Sequence, residues 1–293
     1  MTDIQRLLRL RAVTTRLREV PGMVLLLDWV RRHYRSHAGP VLVHDFEGSI
    51  RIEVRLDEHM GSQIFWYGSY SREVLRVLGR LLTPGMIVVD AGANIGEISL
   101  LAARMVQPEG MVFSFEPVPE LASRLRRNAS LNRFSGIEVI ECGLGEQARQ
   151  AEMYRPDAPF QDGTLHAGLA TLYANADRAE SVGKISLTTL DAFVHARGLP
   201  RIDLLKVDVE GAELPLLRGA AAVLRDFRPW LILEVQEETS RAAGYTQQEI
   251  LTYLEGFGYR FVRLGRRGRI EPLTVTTLEA FQNVVAIPTG RTL

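Results

Sequence analysis

The sequence contains one cysteine and no long hydrophobic run, and each shortage excludes a class of protein. The single cysteine, Cys142, cannot form an internal disulfide or supply a metal site built from several cysteines. No apolar stretch approaches the roughly 20 residues that a membrane-spanning helix needs. This shortage and the acidic residues Asp3 and Glu19 argue against a secretory signal or a transit peptide. We therefore expect a cytoplasmic protein with no stable membrane insertion.

The 293-residue chain has a formal net charge of zero, because 35 lysines and arginines balance 35 acidic residues. A balanced chain offers no overall electrostatic attraction for nucleic acid, so we expect no nucleic-acid partner. Arginine supplies all of this basic charge except Lys184 and Lys206, a bias that favours GC-rich bacterial coding DNA. The hydrophobic content of 46% suits a folded core and excludes disorder as the dominant state.

Residues 1–38 form a basic segment that differs in character from the rest of the chain. Apolar residues recur there at helical spacing between arginines, and a Pro-Gly pair precedes a second predicted helix over residues 23–34. We expect these helices to pack on the main domain or on a second subunit, so a homodimer through them is possible. Contact with a membrane surface or an acidic partner is the alternative.

Residues 39–82 are predicted to form a β-hairpin and a helix that lead into the core domain. Apolar residues alternate with polar ones over residues 41–56, on both sides of a Glu-Gly-Ser turn. An aromatic run follows at residues 64–67, and the next helix is predicted over residues 71–82. Tyr70 and the aromatic run could line an acceptor pocket, although such a run is more often part of a core.

Residues 83–293 alternate short apolar runs with amphipathic helices, which predicts an α/β domain with a parallel sheet covered on both faces. Five buried strands are predicted, at residues 86–89, 111–115, 137–140, 202–207 and 230–233. The last two apolar runs have no helix between them and predict an antiparallel pair at the sheet edge, over residues 259–264 and 281–287. Residues 155–183 are rich in small and polar residues and predict a lid loop.

A glycine loop follows the first strand of this domain, with the sequence Asp90-Ala91-Gly92-Ala93-Asn94-Ile95-Gly96-Glu97. Ligands of open α/β sheets bind beyond the carboxyl ends of the strands, where glycine permits close approach. Asn94 tolerates the left-handed backbone well. Glu97 stands where a dinucleotide loop has a small residue, and its charge would repel a diphosphate. S-adenosylmethionine, a phosphate-free cation, fits better, and Asp90 could reach its ammonium group directly or through water.

Two further strand ends complete the predicted nucleoside site. Glu116 ends the second strand, where a carboxylate can accept hydrogen bonds from ribose hydroxyls. The alternative is a helix N-terminal acid, because Pro117 and Pro119 indicate a helix start. The third strand ends at residues 141–143, a plausible adenine wall, and we interpret Cys142 there as a small residue rather than a nucleophile.

An acidic cluster follows the fourth strand, in the segment Lys206-Val207-Asp208-Val209-Glu210-Gly211-Ala212-Glu213. Clustered acids repel one another, which is typical of functional sites. Asp208 could orient the donor or accept a proton, and Glu210 could do the same or cap the next helix. Glu234 ends the fifth strand beside Asp208, so these two could hold Mg²⁺, or Glu234 could bind substrate. His166 in the lid is a third candidate base, with an exposed loop histidine as the alternative.

These segments resemble the signature of the FkbM-type methyltransferases, which we match at residues 89–96, 115–119, 189–191 and 202–213. The resemblance covers roughly residues 60–290. It implies a class I, Rossmann-like S-adenosylmethionine-dependent fold, a seven-stranded mostly parallel sheet with an antiparallel edge strand, and usually O-methylation of a small natural product or sugar. Thr171 stands where the family tends to have serine.

We therefore expect an O-methyltransferase with a small hydroxyl compound as its acceptor. The expected cofactor contacts are Asp90, Gly92, Ala93, Asn94, Gly96, Glu116, Pro117, Cys142, Gly143 and Asp208. The expected catalytic residues are Asp208, Glu210 and His166, and the expected substrate contacts are Tyr70, Glu213 and Glu234. A protein or nucleic-acid acceptor and a non-catalytic S-adenosylmethionine-binding scaffold remain the alternatives.

Overall fold

The computed structural model describes residues 3–17, 29, 31, 34, 39–156, 159, 162–165, 168–174, 180–265 and 269–292. Most of the predicted second helix and the candidate base His166 lie outside these residues. Only parts of the predicted lid, residues 155–183, are described. Within the described chain, every helix is too short or too polar to cross a bilayer.

The strands are numbered here in chain order. They are β1 Pro40–Phe46, β2 Ile50–Arg55, β3 Ile87–Ala91, β4 Met111–Phe115, β5 Ile137–Ile140, β6 Gly143–Leu144, β7 Arg149–Arg155, β8 Glu180–Thr188, β9 Leu204–Val207, β10 Trp230–Gln236, β11 Tyr259–Leu264, β12 Ile270–Leu273 and β13 Phe281–Pro288. The helices are α1 Asp3–Leu17, α2 His59–Tyr67, α3 Arg72–Leu81, α4 Glu97–Val106, α5 Pro119–Asn132, α6 Leu190–Arg197, α7 Glu213–Arg218, α8 Ala221–Asp226, α9 Glu237–Ala242 and α10 Gln247–Glu255.

The amino-terminal region packs on the core through α1, the hairpin and α2. β1 and β2 pair antiparallel, which confirms the predicted hairpin. Leu7 of α1 is buried, and Arg11 contacts both Asp45 and the ring of Phe65. The aromatic run lies in α2, where Phe65 and Trp66 are fully buried, so these two belong to the core rather than to a pocket wall.

The main sheet has the strand order β12-β11-β13-β10-β9-β3-β4-β5. β3, β4, β5, β9 and β10 are parallel, as expected from apolar runs buried on both faces. Their buried side chains form the core with α4, α5, α7, α8 and α10. The pairing of β3 with β9, and of β9 with β10, brings the ends of these strands side by side.

Two predictions about the sheets are corrected. The described part of the main sheet has eight strands rather than seven, because residues 270–273 add an antiparallel edge strand that carries a proline. The predicted pair over residues 259–264 and 281–287 does form, but β13 lies between β10 and β11 rather than at the edge. β6, β7 and β8 form a separate sheet that was not predicted, and the ends of the predicted lid are strand residues within it.

Candidate functional site

A cavity opens at the carboxyl edge of the central strands and contains about 1220 Å³ of empty space, including space open to solvent. We call it the edge cavity. Its wall combines the ends of β3, β4, β9 and β10 with the start of α2, residues 70–71, residues 168–170 and Leu172. The predicted residues that line it are Tyr70, Gly92, Ala93, Asn94, Glu116, Pro117, Gly143, Asp208, Glu210 and Glu234.

The glycine loop is shaped by left-handed backbone at Gly92, Asn94 and Gly96. A Cβ atom on Gly92 would lie 1.7 Å from the carbonyl oxygen of Asp208, so only glycine fits there. Asn94 has φ +52°, which confirms the conformation expected for it. A Cβ on Gly96 would meet Leu125 at 2.2 Å. Gly96 therefore permits helix packing and lies behind the cavity wall, and its expected cofactor contact stays a prediction.

Glu116 is a buried carboxylate on the cavity wall. Its Oε2 accepts a hydrogen bond from the backbone N–H of Asn94 at 2.8 Å, and its Oε1 accepts one from Val118 at 2.9 Å. Burial raises the pKa of Glu116 to about 7, although both backbone donors oppose the shift. The residue thus holds the glycine loop to the start of α5 while its side chain remains part of the wall.

Asp90 lies behind the cavity rather than in it. Its side chain is 0% exposed, and its Oδ2 accepts a hydrogen bond from the Ser99 hydroxyl at 2.6 Å. Lys206 Nζ lies 3.5 Å from Asp90 Oδ1 and 3.0 Å from Asp208 Oδ2, and it donates to the Gly92 carbonyl at 3.1 Å. Asp90 therefore supports the glycine loop from beneath, and its expected contact with the ammonium group, directly or through water, stays a prediction.

Lys206 is a buried cation that links the glycine loop to the acidic cluster. Burial alone would lower the pKa of Lys206, but the carboxylates of Asp208 and Asp90 outweigh burial and raise it. Lys206 is therefore charged at neutral pH, and its charge offsets part of the negative charge of the cluster.

Three carboxylates come together at the ends of β9 and β10. Ligand atoms of Asp208, Glu210 and Glu234 lie within 4.8 Å of one another. This confirms the predicted proximity of Asp208 and Glu234, and it adds Glu210 to the pair. Burial, followed by the charges of Asp208 and Glu210, raises the pKa of Glu234 well above its usual range. Three oxygen donors at this spacing suit a hard divalent cation, and a raised carboxyl pKa suits proton transfer.

Two other predicted contacts lie outside the cavity wall. Glu213 is buried beneath residues 208–211, which we call the acidic loop, and it accepts hydrogen bonds from the Gly211 N–H at 3.0 Å and the Tyr245 hydroxyl at 2.9 Å. It shapes the loop, and its expected contact with substrate stays a prediction. The thiol of Cys142 donates to the Ser186 carbonyl at 3.2 Å, and burial raises its pKa. Cys142 is therefore not an activated nucleophile, and its expected cofactor contact stays a prediction.

Glu97 has a structural role that the sequence analysis missed. It is 1% exposed, and its two carboxylate oxygens accept hydrogen bonds from the backbone N–H groups of Tyr70, at 2.6 Å, and Ser71, at 3.0 Å. Burial raises the pKa of Glu97 to about 7. The first residue of α4 thus holds the Tyr70 segment against the glycine loop. Burial and the nearby carboxylates, Glu234 first, raise the pKa of the Tyr70 phenol.

Residues 168–172 form a roof over the cavity. A Cβ on Gly168 would lie 1.9 Å from Asn94 Nδ2, so the roof backbone contacts the glycine loop directly. Thr171 exchanges two backbone hydrogen bonds with Tyr154, and its hydroxyl donates to the Glu210 carbonyl at 2.6 Å. This part of the predicted lid therefore connects the glycine loop to the acidic loop.

Comparison with known proteins gives a family match and several relatives. A family model described as "Methyltransferase FkbM domain" matches residues 90–261. The chain is 35% identical over 205 residues to Methyltransferase sdnD of Sordaria araneosa, covering 62% of this chain and 76% of that protein. It is 30% identical over 204 residues to 31-O-demethyl-FK506 methyltransferase FkbM of Streptomyces tacrolimicus, covering 62% and 75%.

A third relative is matched over a smaller part. The chain is 35% identical over 151 residues to Methyltransferase 1 of Beauveria bassiana. The match covers 45% of this chain and 57% of that protein, so the chain spans little more than half of this relative's length.

Proposed function

Because the chain belongs to the FkbM methyltransferase family, whose members use S-adenosylmethionine, we propose that it methylates a hydroxyl group of a small natural product or sugar. The observation that carries this proposal is the joint placement of the glycine loop, Glu116 and the three clustered carboxylates around one cavity. The relative named for 31-O-demethyl-FK506 supports a natural-product hydroxyl as the acceptor class.

The glycine-loop side of the cavity is our proposed nucleoside site. Glu116 faces the cavity with a carboxylate whose remaining lone pairs suit ribose hydroxyls, and Gly92 permits close backbone approach. Pro117 and Gly143 form the proposed adenine wall together with Leu144. When bound, S-adenosylmethionine supplies a methyl group on a positively charged sulfur, and the acidic cluster provides a complementary negative environment.

The chain's own residues contribute orientation and proton transfer. Holding an acceptor oxygen in line with the methyl group can supply roughly 7–11 kcal/mol in favourable cases. A positioned base adds about 10²- to 10⁴-fold in rate. The proximity of Asp208, Glu210 and Glu234 supports a role for these carboxylates in orienting the acceptor. In a metal-assisted route they would hold Mg²⁺, and the metal would acidify the acceptor hydroxyl.

The test combines binding and turnover. Calorimetric titration with S-adenosylhomocysteine is expected to show one site per chain, and the absence of binding would contradict the proposed cofactor. Transfer of a radiolabelled methyl group is then measured to 31-O-demethyl-FK506, methyl glucoside, total tRNA and a denatured protein mixture. Labelling of a small hydroxyl compound supports the proposal, and labelling of tRNA or protein alone replaces it with a macromolecular acceptor.

Adding a chelator to the same assay distinguishes the metal-assisted route from general-base chemistry without a metal. If the carboxylates hold Mg²⁺, chelation abolishes transfer and added Mg²⁺ restores it. Unchanged transfer after chelation rejects the metal route and leaves general-base chemistry.

A further inference from the structure

A histidine that lies outside the matched family domain lines the same cavity, at the start of α2. His59 Nδ1 lies 3.2 Å from the Thr164 hydroxyl and 3.5 Å from Asp162 Oδ2. The Thr164 hydroxyl in turn donates to Asp162 Oδ1 at 2.6 Å, and Arg31 lies 2.7 Å from Asp162 Oδ2. These residues therefore form a connected polar chain that ends at the cavity wall.

The direction of these hydrogen bonds defines the state of the imidazole. Because the Thr164 hydroxyl gives its hydrogen to Asp162, its oxygen accepts one from His59, and Nδ1 carries the proton. The basic lone pair of the neutral ring is then on Nε2. Burial opposes ionisation of Asp162, but hydrogen bonds from Thr164 and the charges of Arg31 and His59 lower its pKa to about 2. Asp162 is thus a carboxylate at neutral pH.

The surroundings of His59 keep the ring neutral near neutral pH. Burial lowers the pKa of His59, Asp162 raises it, and Arg31 lowers it again, with a net lowering. The Tyr70 ring meets the imidazole edge-on, with ring centroids 5.9 Å apart. The adjacent Glu58 pairs with Arg124.

The backbone around His59 is also held in place. The His59 N–H donates to the Leu165 carbonyl at 3.1 Å, and the Leu165 N–H donates to the Asp57 carbonyl at 2.7 Å. His59 and Leu165 both line the edge cavity with the three clustered carboxylates. Asp208, by contrast, is held in an ion pair with Lys206, whose Nζ lies 3.0 Å from its Oδ2.

We propose that His59 is the general base that removes the proton from the acceptor hydroxyl, with Thr164 and Asp162 as positioning residues. The proposal rests on the proposed function. As the hydroxyl proton moves to Nε2, the oxygen bonds to the methyl carbon, and the carbon–sulfur bond breaks with its electron pair left on sulfur. The imidazolium that forms is stabilised by the Asp162 carboxylate through Thr164, and it then releases its proton to solvent.

The first readout needs no substrate. Nitrogen-15 NMR of the imidazoles is compared between the wild type and His59→Gln, which assigns the His59 signals. We expect protonated Nδ1 and a pKa below the ordinary histidine value. Thr164→Val is expected to shift the ring away from this tautomer. A ring protonated on Nε2 in the wild-type protein would overturn the proposal.

The second readout is the pH profile of kcat/KM with the panel compound that the wild type methylates. His59→Gln is expected to lower kcat about 100-fold or more and to remove the acid limb, with S-adenosylhomocysteine affinity changed less than about threefold. Asp162→Asn is expected to lower kcat less and to move that limb to lower pH. The matched control is His195→Gln, at an exposed histidine on α6.

The two proposals fail in different ways. Retained kcat and an intact acid limb in His59→Gln, with an active wild type, overturn the assignment of His59 and leave the proposed function standing. A wild type that methylates no small hydroxyl compound overturns the proposed function, and the base assignment falls with it.

Discussion

The carboxylates on the two sides of the edge cavity have different kinds of partner. On the glycine-loop side, Glu116 and Glu97 each accept two backbone N–H hydrogen bonds. On the opposite side, Glu234 lies against two other carboxylates, and Asp208 shares the cation Lys206 with the buried Asp90. The first arrangement makes a rigid ligand frame, whereas the second keeps charge available for chemistry. Substitutions in the two halves should therefore affect different steps.

The largest expected effect is the loss of cofactor binding in Gly92→Ala. The new Cβ would lie 1.7 Å from the Asp208 carbonyl, on a residue with φ +76°. Strain and overpacking would cost about 4 kcal/mol in the native loop conformation, so we expect the variant to relieve them by displacing the glycine loop. Restoring the loop on binding then lowers the affinity for S-adenosylhomocysteine, measured by calorimetry, by up to about 1000-fold. The control is Gly85→Ala, because Gly85 has φ +85° but nothing within 4 Å of a Cβ. Equal losses in both variants would show that backbone strain, and not the contact with Asp208, is responsible.

Asp208→Asn should lower turnover while leaving cofactor binding nearly intact, in contrast to Gly92→Ala. Removing this charge is expected to lower kcat about 100-fold, because the acidic cluster orients the acceptor. S-adenosylhomocysteine affinity should change much less, since the proposed nucleoside contacts lie on the other side of the cavity. Unchanged turnover in this variant would show that the active edge has been assigned to the wrong residues.

The raised pKa of Glu97 predicts that the free energy of unfolding depends on pH. Its pKa is raised from 4.5 to about 7, so the folded protein keeps the proton to higher pH than the unfolded chain does. Its contribution to the free energy of unfolding is therefore greatest below the unfolded pKa, and it falls as the pH rises toward 7. Relative to Glu97→Gln, the wild type should lose roughly 2–3 kcal/mol of its free energy of unfolding between about pH 4.5 and 7, measured by urea unfolding.

The surface variant Glu109→Gln serves as the control for Glu97, because Glu109 is exposed. It should leave the pH dependence of unfolding unchanged. If Glu97→Gln also leaves the wild-type pH dependence intact, the buried proton does not belong to Glu97.

The smallest expected effect is that of Thr171→Val, in the roof of the cavity, on the KM for the acceptor. Thr171→Val removes the hydroxyl that donates to the Glu210 carbonyl, a loss of about 1 kcal/mol. We expect a few-fold rise in KM for the acceptor with little change in S-adenosylhomocysteine affinity. Thr171→Ser retains the donor and should behave like the wild type. A Ser variant as impaired as the Val variant would mean that the methyl group, rather than the hydrogen bond, matters.

Much of the nucleoside side could be predicted from the sequence because its residues follow strand ends in short segments. Apolar strand patterns place Gly92 and Glu116 at one edge of a parallel sheet, and the left-handed conformation of Asn94 follows from its residue type. The same logic predicts that Asp208 and Glu234 are neighbours, which the structure confirms.

Burial could not be predicted in this way. Asp90 and Glu97 flank the same glycine loop, yet one faces Ser99 and Lys206 and the other faces the backbone of residues 70–71. The direction of each side chain depends on helices packed from distant parts of the chain. The small sheet of β6, β7 and β8 was missed because its strands are largely polar on their exposed face.

The sequence by itself determined the strand–helix alternation, the glycine loop and the acidic cluster, because strand periodicity and residue type are local properties. Only the tertiary structure decided which acids face the cavity, and only it joined His59 to Thr164 and Asp162, which are far from it along the chain. The physical reason is that a side chain's charge and proton state depend on the groups packed around it. Packing brings these groups together from segments whose sequences carry no signal of their contact.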